Sequence, residues 1–364
     1  MNELFLERMK EMLKDEYPAY LKKLNDPARK GIRINTLKIT PDDFFANTNF
    51  DIEKSPFAKN GYYANIKSGV GFTPEHMAGF FYIQEPSASS AVTILDPKPG
   101  MKVLDMCAAP GSKSTQISEM LEQEGLLVVN EIHPTRARIL LENIERCGSA
   151  NTIVLNNDPK DISKAFPEFF DMVLCDAPCS GEGMFRKEDQ AVEQWSLENV
   201  QACALRQLFI LDEAYKCLKP GGTMVYSTCT FAMEENEMCM KKFMQEHPDM
   251  HLVPIEVDFG RKAFDLGSHT DYARRIFPMD GGEGHFIAKL HKDGELTEST
   301  KKIMQSQPLP KEAKDFFDTF FVKQYPYYFV KNDKVYGGIQ PFYEVGKCHL
   351  LRHQVFLGEI EKQY

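Results

Sequence analysis

No apolar run in this chain of 364 residues approaches the roughly twenty residues that a bilayer span requires, so no transmembrane helix is expected. The chain also lacks any CxxC pair. Its nine cysteines lie singly and are odd in number, which argues against a structural zinc site and against a complete disulfide framework. Reduced thiols and no metal are the expectation. Neither GxxxxGK[ST] nor GxGxxG occurs, which removes the P-loop and the dinucleotide fingerprint. Basic residues are in deficit, 43 Lys and Arg against 53 Asp and Glu, for a net charge of −10. That balance counts against a protein that coats nucleic acid indiscriminately, but it leaves room for a local basic face. There is no internal repeat and no low-complexity tract. Met1–Tyr20 is charged throughout and reads as an amphipathic helix, not a signal peptide. A soluble, cytoplasmic protein with no membrane partner is expected.

What is present falls into three parts. Residues 1–85 read as a small α+β lobe, with helical patterning over Leu4–Leu24 and strand-like alternation over Gly31–Ile39. Residues 86–292 open with a helix over Ala88–Leu95 and then alternate strands and helices. The strands are Lys102–Met106, Gly125–Asn130, Thr152–Leu155, Met172–Cys175 and Thr223–Ser227; the helices are Lys113–Glu122, Thr135–Cys147 and Glu198–Leu218. This alternation predicts a doubly wound α/β domain with a parallel sheet covered on both faces. His285–Leu290 is expected as an antiparallel edge strand. Residues 293–364 form a third lobe, helical in part over Lys301–Phe321 and composed of short strands over Tyr328–Leu357. The chain stops at Glu361–Tyr364 without a tapering tail, which suggests an incomplete C-terminal module.

In an open α/β sheet, side chains just past the carboxyl ends of strands line the ligand crevice. Two cysteines occupy such places: Cys179 in Asp176-Ala-Pro-Cys-Ser180 and Cys229 in Tyr226-Ser-Thr-Cys-Thr230. A thiol is suited to attack on an electron-poor carbon. Pro178 stiffens the turn that carries Asp176 and Cys179. A third motif, Val103 to Lys113, combines a strand, a loop of small residues and a helix start, which lets backbone approach a nucleoside-type cofactor. Glu131, at the end of the second strand, is placed to accept hydrogen bonds from ribose hydroxyls, and Asp158, after the third, to receive an exocyclic amine. A helix cap or a surface carboxylate is the competing reading for each. Cys147, Cys175, Cys203, Cys217, Cys239 and Cys348 read as packing residues, and so does Cys107 apart from its place in the small-residue loop. His133 and His285 read as structural. Arg29, Lys30, Arg33 and Lys38 form an acid-free run, either a basic face or a solvated strand edge.

Together the motifs Asp105-Met-Cys-Ala-Ala-Pro-Gly-Ser-Lys113, Asp176-Ala-Pro-Cys-Ser-Gly-Glu-Gly183 and Tyr226-Ser-Thr-Cys-Thr230 resemble those of the Nol/Nop/Sun family of RNA (cytosine-5)-methyltransferases. Gly183-Met-Phe-Arg-Lys187 and Gly284-His-Phe-Ile-Ala288 are most similar to its bacterial branch acting on small-subunit rRNA, the RsmF type. Arg33-Ile-Asn-Thr-Leu-Lys38 extends the likeness to the first lobe. The resemblance implies a Rossmann-like, S-adenosylmethionine-dependent methyltransferase. Cys107, Ala108, Ala109, Pro110, Gly111, Ser112, Lys113, Glu131, Asp158 and Asp176 would then hold the cofactor or the target base. Cys229 would be the nucleophile, Cys179 would assist product release, and protonated Asp176 would donate to ring nitrogen 3 of cytosine. Arg29, Lys30, Arg33 and Lys38 would face RNA, either rRNA or the small ribosomal subunit. A tRNA cytosine-5 methyltransferase and a non-catalytic ribosome assembly factor are the alternatives.

Overall fold

A computed structural model describes residues 2–66, 68–298, 301–321 and 324–360. The N-terminal helical stretch is two helices, Glu3–Leu13 and Tyr17–Leu24. Asn2 caps the first by accepting from the Leu4 and Phe5 amides, and Lys14, at φ +47°, ends it. Phe5, Met9, Leu13 and Tyr20 share a buried face against Phe185, Trp195, Phe231 and Phe277, so these helices pack on residues of the second segment of the chain rather than on their own lobe. A four-stranded antiparallel sheet follows: β1 (Gly31–Ile34), β2 (Ile52–Lys54), β3 (Gly61–Ala64) and β4 (Phe81–Gln84), in the order β2-β3-β1-β4. The strand expected over Gly31–Ile39 therefore stops at Ile34. Asn35 ends it: its side-chain amide donates to the Gly79 and Cys147 carbonyls, and its own carbonyl accepts from Lys38, which turns the chain.

The central sheet is built on β5 (Lys102–Asp105), β6 (Leu126–Asn130), β7 (Thr152–Leu155), β8 (Phe170–Asp176) and β9 (Leu218–Thr228). These five run parallel in the order β7-β6-β5-β8-β9. Alternate residues enter opposite cores, as the period-2 geometry of a strand requires. Leu104, Val128, Ile153 and Val173 face Ile210 and Ala214 of helix Leu197–Cys217. Val103, Leu127, Val129 and Leu174 face Ile117 of helix Ser112–Met120 and Leu140 and Ile144 of helix Pro134–Cys147. Each such side chain contributes about 1.5–3 kcal/mol on burial. Chain order reverses between β5 and β8, which opens a crevice at their carboxyl ends.

His285–Lys292 pairs antiparallel with β9, but it is not the edge the sequence suggested. Arg274–Ile276 pairs on its far side, Arg261–Lys262 follows, and Met250–Leu252 covers its C-terminal end. These strands are two or three residues long and carry no readable period. The opposite edge, β7, is covered by Leu350–His353, so the C-terminal segment contributes a strand to the central sheet. The rest of that segment includes helix Lys311–Phe320 and a three-stranded antiparallel sheet of Tyr327–Lys331, Lys334–Gly338 and Val355–Glu359. Glu361–Tyr364 lies outside the described residues. Among the described residues no helix is long and apolar enough to cross a membrane, and no cluster of three or more His, Cys, Asp or Glu could hold a metal.

Candidate active site

The site begins with a strand register. β8 and β9 are parallel neighbours, and Asp176 pairs with Ser227, whose hydroxyl donates to Asp176 Oδ1 at 2.7 Å. Three and two residues further on, the chains turn at Cys179 and Cys229, and their sulfurs come to 3.2 Å as two free thiols. Both line one cavity of about 420 Å³ together with Cys107, Ala109, Arg136, Asp176, Met184 and Asn199. The hydrogen bond with Cys229, and then burial, push the Cys179 thiol well above its ordinary range, so Cys179 keeps its proton at neutral pH.

A buried polar network holds the two turns. Glu235 accepts from the Ser180 amide at 3.0 Å, from the Ser180 hydroxyl, and from Gln207 Nε2 at 2.7 Å. Gln207 also donates to the Pro178 carbonyl, and the Ser180 and Thr230 hydroxyls meet at 2.8 Å. Asn236 accepts from the Thr228 hydroxyl and donates to the Thr230 carbonyl, so it brackets Cys229 on both sides. Burial pushes the Glu235 carboxyl up to about 7, with its hydrogen bonds opposing. Sequence reasoning missed Gln207, Glu235 and Asn236. Glu235 and Asn236 follow Cys229 closely, but nothing local marks them as buried.

Lys113 points toward the reacting end of the site. Its ammonium lies 2.8 Å from Asp176 Oδ2, in an ion pair whose Lys113 side chain is 12% exposed. Burial alone would lower Lys113; the Asp176 carboxylate more than offsets this, and the net shift is upward. Asp105 lies fully buried nearby, where burial raises it to about 7 although the Ser114 hydroxyl donates to it at 2.7 Å. Asp176 therefore carries a charged amine on one oxygen and a hydroxyl on the other.

A second cavity, also about 420 Å³, adjoins the first and shares Cys107, Arg136 and Pro178 with it. Glu131, Asp158, His133, Phe209 and Ile210 line it. Its size and its mix of an apolar wall with a few acids suit a nucleoside-type cofactor. Glu131 is 3% exposed and held in place, one oxygen accepting from the His133 amide at 2.9 Å and the other 3.2 Å from Arg136. Asp158 caps helix Pro159–Ala165 through the Lys160 amide, as the competing reading expected, and also lines this cavity. His133 is exposed at the rim of this cavity, whereas His285 is buried against Ser87. Burial lowers His285 to about 4, so it is neutral. Of the small-residue loop, Cys107 and Ala109 reach a cavity. Ala108 is buried behind it, and Gly111, at φ +110°, forms the N-cap of helix Ser112–Met120. The Pro110 carbonyl accepts from Asn143. Ser112 turns away altogether: its hydroxyl donates to Gln84 and its carbonyl accepts from Arg33, which fastens the N-terminal lobe to this helix.

The four basic residues separate. Arg29 and Lys30 are exposed, and the Arg29 guanidinium lies 3.9 Å over the Tyr63 ring. Lys38 is exposed along its stem, but its ammonium caps helix Pro134–Cys147 through the Arg146 carbonyl and also reaches Ala78. Arg33 is 1% exposed and cannot face RNA. Its Nε meets both oxygens of buried Glu119 at 3.0 and 3.2 Å, and its other nitrogens reach Gln84, the Ser112 carbonyl and Thr115. Its charge is used to join two lobes.

The family described as 16S rRNA methyltransferase RsmB/F matches residues 92–291, and the N-terminal domain of 16S rRNA methyltransferase RsmF matches residues 1–86. Ribosomal RNA small subunit methyltransferase F of Vibrio cholerae is 39% identical over 307 residues, covering 80% of this chain and 63% of the relative. The protein of that name from Escherichia coli K12 is 37% identical over 302 residues, covering 79% and 62%. The chain thus spans less than two thirds of either relative. A methyltransferase homolog from Pyrococcus horikoshii superposes with a TM-score of 0.69 at 30% identity, covering 80% of this chain and 95% of that one. NSun6 from the same organism, solved with SFG, gives 0.70 at 22% identity, covering 81% and 99%, and so bears on the fold alone. The fold is that of a Rossmann-like methyltransferase, and the chain belongs to the 16S rRNA methyltransferase RsmB/F family.

Proposed function

We propose that this protein is a cytoplasmic enzyme that methylates carbon 5 of a cytosine in small-subunit rRNA, with S-adenosylmethionine as cofactor. The observation that carries this reading is the pair of thiols at 3.2 Å beside the Lys113–Asp176 ion pair, in a cavity that shares a wall with a second, nucleoside-sized one. Glu131, Asp158, Phe209 and Ile210 would hold the cofactor there. When bound, S-adenosylmethionine supplies an electrophilic methyl group on its sulfonium.

The residues divide the remaining work. Carbon 5 of cytosine is a poor nucleophile, and Cys229, as thiolate, makes it enamine-like by forming a bond to carbon 6. Negative charge then develops toward ring nitrogen 3. With Lys113 at 2.8 Å, Asp176 is best placed as a carboxylate that orients the exocyclic amine, and the Lys113 ammonium is the donor that balances the charge at nitrogen 3. This revises the protonated Asp176 of the family expectation. After carbon 5 has gained the methyl group, its proton leaves to water. The carbon 6–sulfur bond then breaks, and the electron pair returns to Cys229. Cys179, touching that sulfur, is positioned for this second half. The pyrimidine must leave its stack to enter the cavity.

The test is transfer of labelled methyl to deproteinised small-subunit rRNA, intact small subunits and bulk tRNA, followed by digestion to nucleosides. Label in 5-methylcytidine from one rRNA form, lost in Cys229→Ala, is the expected result. Label confined to tRNA would move the substrate, and undiminished transfer by Cys229→Ala would remove the covalent route. Cys179→Ala should accumulate a denaturant-stable protein–RNA adduct. Its absence would take Cys179 out of the release step.

A further inference from the structure

The segment Gly181–Glu188 touches three things at once. The Gly183 amide donates to the Cys229 carbonyl at 2.8 Å, and the packing there is so close that an added Cβ would lie 2.9 Å from that oxygen and 2.7 Å from the Gly284 carbonyl. Met184 and Glu188 line the cavity that holds the thiols. Between them, Arg186 reaches out of the catalytic domain: its Nη2 donates to the Asp26 and Pro27 carbonyls at 2.9 and 2.8 Å. Its Nη1 lies 3.2 Å from Glu283, in an ion pair with side chains 5% and 1% exposed.

Glu283 in turn accepts from the Arg29 backbone amide at 2.7 Å through its other oxygen. The neighbouring Gly281 carbonyl accepts from Tyr63, the ring on which the Arg29 guanidinium rests. One continuous chain of contacts therefore runs from the exposed Arg29–Lys30 surface, through Glu283 and Arg186, to the nucleophile's own peptide group. Arg186 Nε is buried without a hydrogen-bond partner, and Glu283 Oε2 is met only by the Arg186 guanidinium, in the ion pair at 3.2 Å. A buried polar atom is rarely left without a partner.

We propose that Arg186 is a positioning residue that couples RNA seated on the Arg29–Lys30 surface to the placement of Cys229. The inference rests on the methyltransferase reading and deepens it. Phosphate contact at Arg29 and Lys30 moves the Asp26–Arg29 backbone. Arg186, forked between two of its carbonyls and Glu283, carries the shift to Gly183, and Gly183 has no free space in which to absorb it. RNA that reaches the lobe is thus expected to react faster once bound, beyond any gain in affinity.

The experiment compares single-turnover methyl transfer at saturating RNA for two substrates: an rRNA fragment long enough to span lobe and cavity, and a cytosine-centred trinucleotide that fills the cavity alone. In the unaltered protein the fragment should react about tenfold faster, within the range usual for coupled sites. Arg186→Met should bring the fragment down to the trinucleotide's rate while leaving the trinucleotide's rate and cofactor affinity unchanged. Arg186→Lys, which keeps the charge but loses the fork, should fall between. Equal slowing of both RNAs would make Arg186 merely structural, and a change confined to fragment affinity would make it a plain contact; either overturns the proposal. Glu283→Gln keeps the acceptor for Arg29 and carries the same comparison if Arg186→Met does not fold. No transfer to either RNA by the unaltered protein would overturn the methyltransferase reading itself.

Discussion

Arg33→Ala separates a lobe fastener from an RNA contact. The substitution deletes a guanidinium that makes hydrogen bonds to Glu119, Gln84, Ser112 and Thr115. Glu119 is left 7% exposed without its cation. Breaking a buried pair from one side costs about 3–5 kcal/mol, because the remaining charge is uncompensated. At roughly 2 °C per kcal/mol, the low end of the scale for a chain of this size, Tm should fall by about 6–10 °C. The deficit should also depend on pH. Burial already raises Glu119 to about 7 against the pull of Arg33, and without Arg33 it rises further. At pH 5 Glu119 is protonated in parent and variant alike and the deficit is smallest; it grows as pH rises through 7, where the parent's carboxyl ionises beside Arg33 and the variant's resists ionisation. Thermal unfolding at pH 5 and at pH 8, beside Arg33→Met/Glu119→Leu, is the assay, and the double variant should recover most of the loss by replacing the pair with apolar packing. An unchanged Tm with weakened RNA binding would refute the reasoning and restore Arg33 to an RNA surface.

Two further outcomes follow from the buried acids and their partners. Glu235 has a folded value raised to about 7 from an ordinary 4.5, so its contribution to stability is full below pH 4.5 and is lost as pH rises through 7. Glu235→Gln cannot titrate, and its amide can donate to the otherwise unpartnered Gln207 Oε1, so Tm of the variant should decline less than that of the parent between pH 5 and 8; parallel curves would contradict this. Lys113→Met should lower kcat/KM for methyl transfer by about 10²–10⁴, the usual weight of a positioned proton donor, while cofactor affinity moves little. A loss confined to cofactor affinity would return Lys113 to the role the sequence motif suggested.

The β-α alternation could be read from the sequence because β5, β6, β7 and the ends of β8 and β9 carry short apolar runs buried on both faces, a signal that needs no knowledge of partners. The two cysteine motifs were legible for the same reason: each directly follows such a strand. What escaped was set by distance along the chain. Arg33 looks like an exposed cation until Glu119 is brought to it across 86 residues. The true flank of His285–Lys292 rests on strands of two or three residues whose pairing is imposed by the neighbour, not by their own composition. Leu350–His353 closes the far edge of the sheet from the last part of the chain. Asp158 was legible as a helix cap from its place before Pro159, and the cap is there.

The approach of the two thiols is itself a consequence of register. Adjacent strands lie about 4.8 Å apart, so side chains leaving matched positions on β8 and β9 start within reach of each other. Pairing Asp176 with Ser227 makes that match, and a slip of one residue would send the two turns to opposite faces. Strand geometry alone would still leave the turns free to splay. Glu235 and Gln207 hold the Cys179 turn, and Asn236 holds the Cys229 turn from both sides. Glu235 and Asn236, which follow Cys229 in the chain, therefore set where the two thiols sit, although neither side chain lines the cavity. In the proposed mechanism Cys229 would add to the ring and leave it again beside a thiol held at 3.2 Å by groups that do not line the cavity.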